Sequence, residues 1–249
     1  MKFSYNWISD LVEGLGLTPR DLERLLTRYD ARADERGRLH DLARRGRARV
    51  WWTAYRSSVP DPYDEYLALE VEAVVMAEWE AHVVPGLLQT DEYARAVIEV
   101  GADIVDPETA QRRLALRMAR QAVLSRVPPP RLSIVVDESV LHREVGGRHV
   151  LDRQLQHLFD ASHRPDVELR VMPFSAGAHA ALTESFVIFD FAAGTRAPVV
   201  HSEGLTGGQF RTRPADVQLY REAFADLRRR ALPVDTSRSV IAQSNDASG

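Results

Sequence analysis

The chain has 249 residues, 45% of them hydrophobic and 27% charged, with a net charge of −4 and no cysteine. A weakly acidic chain does not bind nucleic acid through its overall charge, and the lack of cysteine excludes disulfides, thiolate metal sites and cysteine nucleophiles. The apolar stretch 67–88 is interrupted by four glutamates, and no secretory signal precedes it. We therefore expect a cytoplasmic protein without a membrane-spanning segment.

Residues 1–56 are predicted to form a helical head. One helical stripe of three leucines is expected in it, formed by Leu22, Leu25 and Leu26. The arginine-rich segment 36–49 is interpreted either as a phosphate-contacting face or as a solvated helix with local ion pairs. The segment SSVPDPYDEY, residues 57–66, is rich in turn-forming residues and is the predicted boundary to the next domain.

The next part of the chain is predicted to be helical. The segment YLALEVEAVVMAEWEAHVVPGLLQ, residues 66–89, is expected to form a helix that the Pro-Gly pair at 85–86 ends or kinks. Thr90 is the expected N-cap of the following helix, because its hydroxyl can accept a hydrogen bond from a free backbone N–H of the first turn. The Asp-Pro pair at 106–107 begins a further helix, which reaches about residue 126.

From residue 131 onward, alternating apolar and polar residues predict strands. The four strand candidates are RLSIVVDES (131–139), DVELRVMPF (166–174), ESFVIFDF (184–191) and APVVHSEG (197–204). Two amphipathic helices are expected, one marked by Leu151, Leu155, Leu158 and Phe159 and the other by Val217, Tyr220, Phe224 and Leu227. A last short helix begins near Asp235, and residues 244–249 are predicted to form a disordered tail.

The order of these elements predicts the fold class. Amino-terminal helices come first, a block of strands that includes one helix follows, and carboxy-terminal helices come last. Because the loops between the later strands have the length of hairpin loops, the sheet is expected to be mixed or antiparallel, with about four to five strands. The predicted fold class is therefore α+β.

No motif for a common cofactor or a hydrolytic site is present in the sequence. The chain lacks a Gly-rich phosphate loop, the HExxH zinc motif and the GxSxG elbow, and its eight histidines do not share a helix face at metal-ligand spacing. We therefore predict no metal and no other cofactor. Gly146-Gly147 and Gly207-Gly208 are interpreted as turns.

Five residues are candidates for binding a ligand. Asp137 and Glu138 follow a predicted strand, where side chains can project into a cleft. His201 and Glu203 are two positions apart on another strand, so they lie on one face of that strand and can contact one ligand. His179, in the FSAGAH segment that joins two predicted strands, is a further candidate. The alternative interpretation is that these are solvent-facing polar groups or polar groups satisfied within the core.

Several stretches of the sequence together resemble a known domain. They are WEAHVVPGLLQTDEYARAV, LRMARQAVLSR, PPRLSIVVDESVLHREVGG, LDRQLQHLFDASHRPDVELRVMPFSAGAH, SFVIFDF and VVHSEGLTGG. In this order they are similar to the DUF5753 domain of actinobacterial XRE-type helix-turn-helix regulators of the Scr1 antitoxin-like group. The resemblance covers about residues 30–243, with residues 57–243 as the DUF5753-like α+β domain. The chain differs from the family at Met172, where leucine is frequent, and at His201-Ser202, where Tyr-Val is more usual.

The resemblance implies the sensory and oligomerisation part of a transcriptional regulator. Domains of this kind are often paired with a small DUF397 partner protein, and they are thought to sense that partner or a small-molecule ligand. A homodimer is compatible with such a role. No catalytic residue carries over from the family to this chain.

The head does not resemble the DNA-binding part of these regulators. A helix-turn-helix module of the XRE type needs four or five helices, and only about 30 residues precede the resemblance. Residues 1–27 are instead similar to the amino terminus of the phenylalanyl-tRNA synthetase beta chain, and nothing later resembles the rest of that subunit. We therefore expect a degenerate or absent helix-turn-helix and no specific DNA binding by residues 1–249.

These observations leave three functional hypotheses. The first is a regulator-type protein that binds a ligand or a protein partner at its α+β domain. The alternative is an enzyme of specialised metabolism that reuses this scaffold, with Asp137 or Glu138 acting together with His201 and Glu203 as general acid–base groups. A helix-mediated scaffolding role would depend on the arginine-rich segment and on Trp51-Trp52. The sequence favours the first hypothesis, and with it a protein that is not an enzyme.

Overall fold

The computed structural model describes residues 19–28, 36, 63–101, 106–205 and 207–246. Contacts divide the chain into two compact units, residues 1–57 and residues 58–249. In the first unit, helix α1 (Pro19–Arg28) buries Leu26, and the Arg36 guanidinium donates hydrogen bonds to the Leu26 carbonyl and the Glu23 carboxylate. The synthetase-like residues 1–18, the arginines from 38 to 49 and the Trp pair lie outside the described residues.

The second unit contains a single mixed sheet of six strands in the order β3-β2-β1-β4-β5-β6. The strands are β1 (Val75–Glu80), β2 (Arg131–Asp137), β3 (Val167–Met172), β4 (Phe186–Asp190), β5 (Val199–Gly204) and β6 (Gly207–Arg211). β1, β2 and β3 are parallel to one another, whereas β4, β5 and β6 continue the sheet as antiparallel neighbours. The predicted α+β class and mixed sheet are confirmed, with one or two strands more than expected.

Six further helices surround the sheet in the described part of this unit. They are α2 (Tyr63–Glu72), α3 (Asp91–Glu99), α4 (Pro107–Arg120), α5 (Arg148–Ala161), α6 (Pro214–Arg230) and α7 (Val234–Asp246). Parallel neighbours require crossover connections, and α3 with α4 connects β1 to β2 while α5 connects β2 to β3. The predicted caps are present, since Thr90 accepts from the Tyr93 N–H and Asp106 accepts from the Thr109 N–H.

The sheet separates two apolar cores. On one face, called the α5 face, strand residues such as Ile134 and Phe189 pack with the buried leucines of α5 and with apolar residues of α2, α3 and α7. On the opposite face, called the α6 face, Trp79 and Phe186 pack with Phe224 and other apolar residues of α6. Both predicted amphipathic helices are confirmed, because their apolar stripes are the surfaces that cover the sheet.

The prediction of one continuous helix over residues 66–89 is wrong. The helix ends at Glu72, and Val75–Glu80 forms strand β1, which pairs with β2 on one side and with β4 on the other. Alanine and glutamate have high helix propensity, and this local preference dominates the sequence pattern VMAEWE. Pairing on both sides in the middle of the sheet overrides it, since a central strand satisfies its backbone groups with two neighbours.

Two smaller predictions also need correction. Gly207-Gly208 is more than a turn, because these residues begin strand β6, which pairs with β5. Helix α7 continues to Asp246, so residues 244–246 of the predicted tail are helical, and Arg148 donates a hydrogen bond to the Ser244 carbonyl. The turn at Gly146-Gly147 is confirmed by positive φ angles of 74° and 89°. Within the described ranges, every helix is too short or too polar to cross a lipid bilayer.

Candidate functional site

The predicted ligand-binding residues lie on opposite faces of the sheet. Asp137 is in register with Met172, which belongs to the core of the α6 face. His179 lies on the same side, where its ring packs edge-on against Trp79 with 5.0 Å between the ring centroids. His201 contacts Tyr66 and Phe210, which pack against the core of the α5 face, and alternation places Glu203 on that face too. The structure therefore does not bring the five residues together.

The α6-face candidates and Glu138 have structural partners. The Asp137 carboxylate accepts a hydrogen bond of 2.9 Å from the Ser139 N–H, and Glu138 accepts one of 2.6 Å from the Phe174 N–H. These bonds hold the turn after β2 and the loop after β3. Burial lowers the pKa of His179, which favours a neutral ring against Trp79. Asp137 and Glu138 are therefore accounted for by local structure, whereas the Nδ1 atom of His179 is buried without a hydrogen-bond partner among the described residues.

Three glutamates lie next to one another on the α5 face, and we call Glu78, Glu80 and Glu203 the acidic cluster. Glu78 is opposite Val187 of β4, and Val187 is opposite His201 of β5. One position further along the same register, Ser185 lies between Glu80 and Glu203. Glu203 is exposed, whereas Glu78 is buried, so the cluster extends from the surface into the interior of the domain.

Glu78 is the most unusual member of the acidic cluster. Its side chain is only 9% exposed, and none of the described residues donates a hydrogen bond to its carboxyl. Burial, reinforced by the negative charge of Glu70, raises the pKa of Glu78 from 4.5 to about 7, although Arg120 and Arg117 act in the opposite direction. A largely buried carboxyl that makes no hydrogen bond to the protein is costly unless water or a ligand reaches its oxygens, which makes Glu78 a candidate for ligand binding.

Glu80 is held in a similar environment. Burial raises its pKa well above 4.5, and the charges of Glu78 and Glu203 raise it further. Ser185 donates a hydrogen bond to this carboxyl and accepts one of 3.0 Å from the Ala81 N–H. Glu78 and Glu80 are therefore two neighbouring carboxyls whose pKa values are both raised, chiefly by burial.

Beside the acidic cluster lies a buried ion pair between α2 and α4. Arg120 donates two parallel hydrogen bonds to Glu70, of 2.9 Å from Nε and 2.6 Å from Nη2, and both side chains are almost completely buried. Its third hydrogen bond goes to the Tyr63 hydroxyl, and its guanidinium lies 4.9 Å from the centroid of the Tyr66 ring. The charge of Arg120 is thus neutralised by Glu70.

A second arginine of α4 approaches the same region. Arg117 donates a hydrogen bond of 2.8 Å to the side-chain oxygen of Gln89, whose amide nitrogen donates to the Val84 carbonyl at 2.7 Å. Arg117 and Arg120 both lie close to Gly86, since a Cβ added there would be 3.7 Å from an Arg117 nitrogen and 3.6 Å from an Arg120 nitrogen. The segment PGLLQ is therefore held against the cluster by side chains of α4.

His201 forms an uncharged part of this face. Its ring centroid lies 4.8 Å from that of Tyr66 and 4.7 Å from that of Phe210. Burial, together with the positive charges of Arg120 and Arg211, lowers the pKa of His201 to about 4, so the ring is neutral at pH 7. The ring needs the space above Gly208, because a Cβ added there would lie 2.1 Å from its Nε2 atom.

We expect the substitution Gly208→Ala to lower the free energy of unfolding by about 1–3 kcal/mol, because the new methyl group displaces the buried His201 ring. The measurement is urea denaturation of the wild type, Gly208→Ala, His201→Ala and the double variant. The double variant is expected to be more stable than the sum of the single effects predicts, since it removes the clash. If the losses of unfolding free energy in the two single variants simply add up in the double variant, Gly208 is not required by the space that the His201 ring occupies.

The sequence alone does not identify the residues at the centre of the cluster. In the predicted helix, Glu78 and Glu80 only interrupt an apolar stretch, although their spacing of two also fits one face of a strand. Glu70, Arg117 and Arg120 contact residues that are far away in the sequence, so no local sequence pattern predicts these contacts. Among the described residues, no group of three or more His, Asp or Glu side chains is arranged to hold a metal ion.

Comparison with known proteins gives one match. A family model described as "Domain of unknown function (DUF5753)" matches residues 63–243, which include the whole sheet and all residues of the acidic cluster. Neither the curated proteins nor the solved structures give a match.

Proposed function

The chain belongs to the DUF5753 family, whose function is unknown, and from that premise we propose that its α+β domain is the ligand-binding part of a regulatory protein. The acidic cluster of the α5 face is the proposed binding site. The observation that carries this proposal is Glu78, a buried carboxyl that has no hydrogen-bond donor among the described residues. Binding groups are often kept in such an unfavourable state because the ligand supplies the missing partner.

The surroundings of Glu78 support binding at this place. The Glu70–Arg120 pair and the contact between Arg117 and Gln89 tie α2, α4 and the PGLLQ segment together beside it. A site built on helices and strands holds its groups in defined positions before a ligand arrives. Glu203 is exposed at the other end of the cluster, which gives a route from solvent.

The alternative of an acid–base enzyme has less support. It requires Asp137 or Glu138 to act with His201 and Glu203 on one substrate. Asp137 lies on the α6 face and His201 on the α5 face, so the sheet stands between the two side chains. The Glu138 carboxylate is already engaged, because it accepts a hydrogen bond from the Phe174 N–H. The geometry therefore favours binding over this form of catalysis.

We propose that the domain exerts its regulatory effect by binding a protein partner. The resemblance to XRE-type regulators implies a small DUF397-type protein as that partner. We expect the product of a neighbouring gene of this type to co-purify with residues 1–249, and specific DNA binding to be absent in a gel shift at moderate salt. Specific binding to DNA that survives moderate salt would contradict the expectation for the head.

Ligand binding is tested by thermal unfolding with a mixed panel of small amines, carboxylates, sugars and nucleosides. At least one class is expected to raise the unfolding temperature of the wild type and not that of Glu78→Gln. The control is Glu222→Gln, because Glu222 is an exposed glutamate of α6 on the other side of the sheet. If no compound distinguishes the wild type from Glu78→Gln, the acidic cluster is not the binding site.

A further inference from the structure

The charges around the acidic cluster do not cancel. Among the described residues, the guanidiniums of Arg120 and Arg117 both act on Glu78. Arg120 is also paired with Glu70 through two hydrogen bonds, whereas Arg117 donates to the uncharged side chain of Gln89. Within the part of the chain that the structure describes, the three carboxyls Glu78, Glu80 and Glu203 therefore lie near one guanidinium, that of Arg117, which has no carboxylate partner of its own. When all three carboxyls are ionised, the site has an excess of negative charge.

The imbalance is greatest at Glu78. This side chain is nine-tenths buried and is directed to the α5 face, and none of the described residues donates a hydrogen bond to it. Glu80, two positions along the strand, has Ser185 as a donor. An ionised pair of this kind is stable only when a proton or another cation lies between the two groups.

On the sheet side of the site, the described side chains of His201 and Tyr66 add no charge. His201 is neutral at pH 7, since its pKa is lowered to about 4 by burial and by two arginines. Burial, with smaller contributions from the charges of Glu70 and Glu78, raises the pKa of Tyr66, so its hydroxyl remains protonated. The walls of the site are therefore aromatic or uncharged on the sheet side.

We propose that the ligand carries an organic cation, an amino or a guanidinium group, which binds between Glu78 and Glu80 and donates the hydrogen bonds that Glu78 lacks. This inference rests on the proposed function and specifies the chemical class of its ligand. A metal ion fits less well, because the described residues contain no group of three or more suitable ligands. An organic cation needs only two carboxylates from the protein, because the ammonium or guanidinium group itself carries the N–H donors.

Binding of the cation displaces protons. Below pH 7 the carboxyl of Glu78 is largely protonated, and a cation must compete with that proton. The dissociation constant of a cationic ligand is therefore expected to rise about tenfold or more for each unit of pH below 7, because Glu80, whose pKa is also raised, must lose its proton as well. Glu70, Glu80, Arg117 and Arg120 are the charged groups that face Glu78 from the elements packed around it.

The test uses two probes of nearly equal shape, n-butylguanidinium and the neutral n-butylurea, with the full chain at pH 8 and low salt. Calorimetric titration is expected to give a dissociation constant on the order of 1 mM for the cation, as befits a fragment of this size. Butylurea is expected to bind at least about tenfold more weakly. Titration in two buffers of different protonation enthalpy at pH 6.5 should reveal proton release upon binding of the cation.

Variants locate the binding site. Glu78→Gln and Glu80→Gln are each expected to weaken binding of butylguanidinium about tenfold or more, whereas Glu222→Gln binds like the wild type. Glu203→Gln, at the exposed end, gives a second measurement with little risk to folding. Unchanged affinity in Glu78→Gln and Glu80→Gln would place the cation elsewhere and overturn the inference.

The other outcomes separate this inference from the proposed function. Equal binding of butylurea and butylguanidinium overturns the cationic class and leaves binding at the acidic cluster intact. A second result leads to the same conclusion. If butylguanidinium does not bind but a compound of another class distinguishes the wild type from Glu78→Gln, the cationic class is overturned and binding at the acidic cluster is kept. If no probe distinguishes the wild type from Glu78→Gln, both the inference and the proposed function fail.

Discussion

Replacement of Arg120 by alanine is expected to lower the free energy of unfolding by about 3–5 kcal/mol, the cost of leaving one partner of a buried ion pair without the other. Arg120 and Glu70 are both almost fully buried, and the guanidinium makes two hydrogen bonds to the carboxylate and one to the Tyr63 hydroxyl. Without it, the Glu70 carboxylate is buried with no counter-charge, and α2 loses its connection to α4.

Urea denaturation monitored by circular dichroism measures this effect. The matched control is Arg153→Ala, which removes the 2.7 Å contact with Glu92 on a more exposed part of the surface. That substitution is expected to cost at most about 1 kcal/mol, because exposed ion pairs contribute little to stability. The double variant Arg120→Met/Glu70→Gln is expected to recover much of the loss, since neither charge then remains buried. Equal costs for Arg120→Ala and Arg153→Ala would contradict the prediction.

The second large effect is expected at Glu78. Burial raises the pKa of this carboxyl from 4.5 to about 7, so between these pH values the folded protein retains a proton that the unfolded chain has released. Its contribution to stability is full below about pH 4.5 and is lost as the pH rises through about 7. The wild type is therefore expected to become less stable over this range, with a contribution from Glu80 in the same direction.

Glu78→Gln removes the titrating group and keeps the shape of the side chain. At pH 8 this variant is expected to be more stable than the wild type by about 3 kcal/mol, the free energy that corresponds to the difference in pKa. At pH 4 the two proteins should have similar stability, because the wild-type carboxyl is then protonated. Unfolding free energies from urea titrations at pH 4, 6 and 8 provide the measurement, with Glu222→Gln as the control. A variant that is less stable than the wild type at pH 8 would rule out a buried, unpartnered carboxylate at this position.

A stabilising substitution at the proposed binding site has a functional meaning. A residue that lowers the stability of the unliganded protein is retained when the ligand requires it. Loss of binding and gain of stability in the same variant, Glu78→Gln, would therefore connect the energetic cost of this carboxyl to its use. Loss of both would instead indicate a structural role.

Much of the fold was predictable because its signals are local. The leucines of α5 recur at helical spacing and all lie in the core, as expected of an amphipathic helix. Strands β2 to β5 were identified from runs of Val, Ile and Phe between turn-forming residues, and the hydroxyl and carboxylate caps at Thr90 and Asp106 are present. These features depend on residues within a few positions of each other, so the sequence contains the information needed to place them.

The candidate site was only partly predictable. Alternation along β5 correctly placed His201 and Glu203 on one side of that strand, because a period of two is a property of any strand. The sequence could not indicate that Asp137 and His179 lie on the opposite side of the sheet, since that depends on the order of the strands. The XRE-type context of the head and the resemblance of residues 1–27 to a synthetase remain predictions.

The α+β class, the caps, most helices and strands, and the resemblance to DUF5753 can all be derived from the amino-acid sequence, since each depends on local spacing or on short motifs. The tertiary structure is needed to show that VMAEWE is a strand, because hydrogen bonds to β2 and β4 outweigh the helical preference of alanine and glutamate. It also decided that Glu78 and Glu80 lie beside Glu203, more than a hundred positions away in the chain. Their altered pKa values follow from burial and from these neighbours, and neither cause exists before the chain is folded.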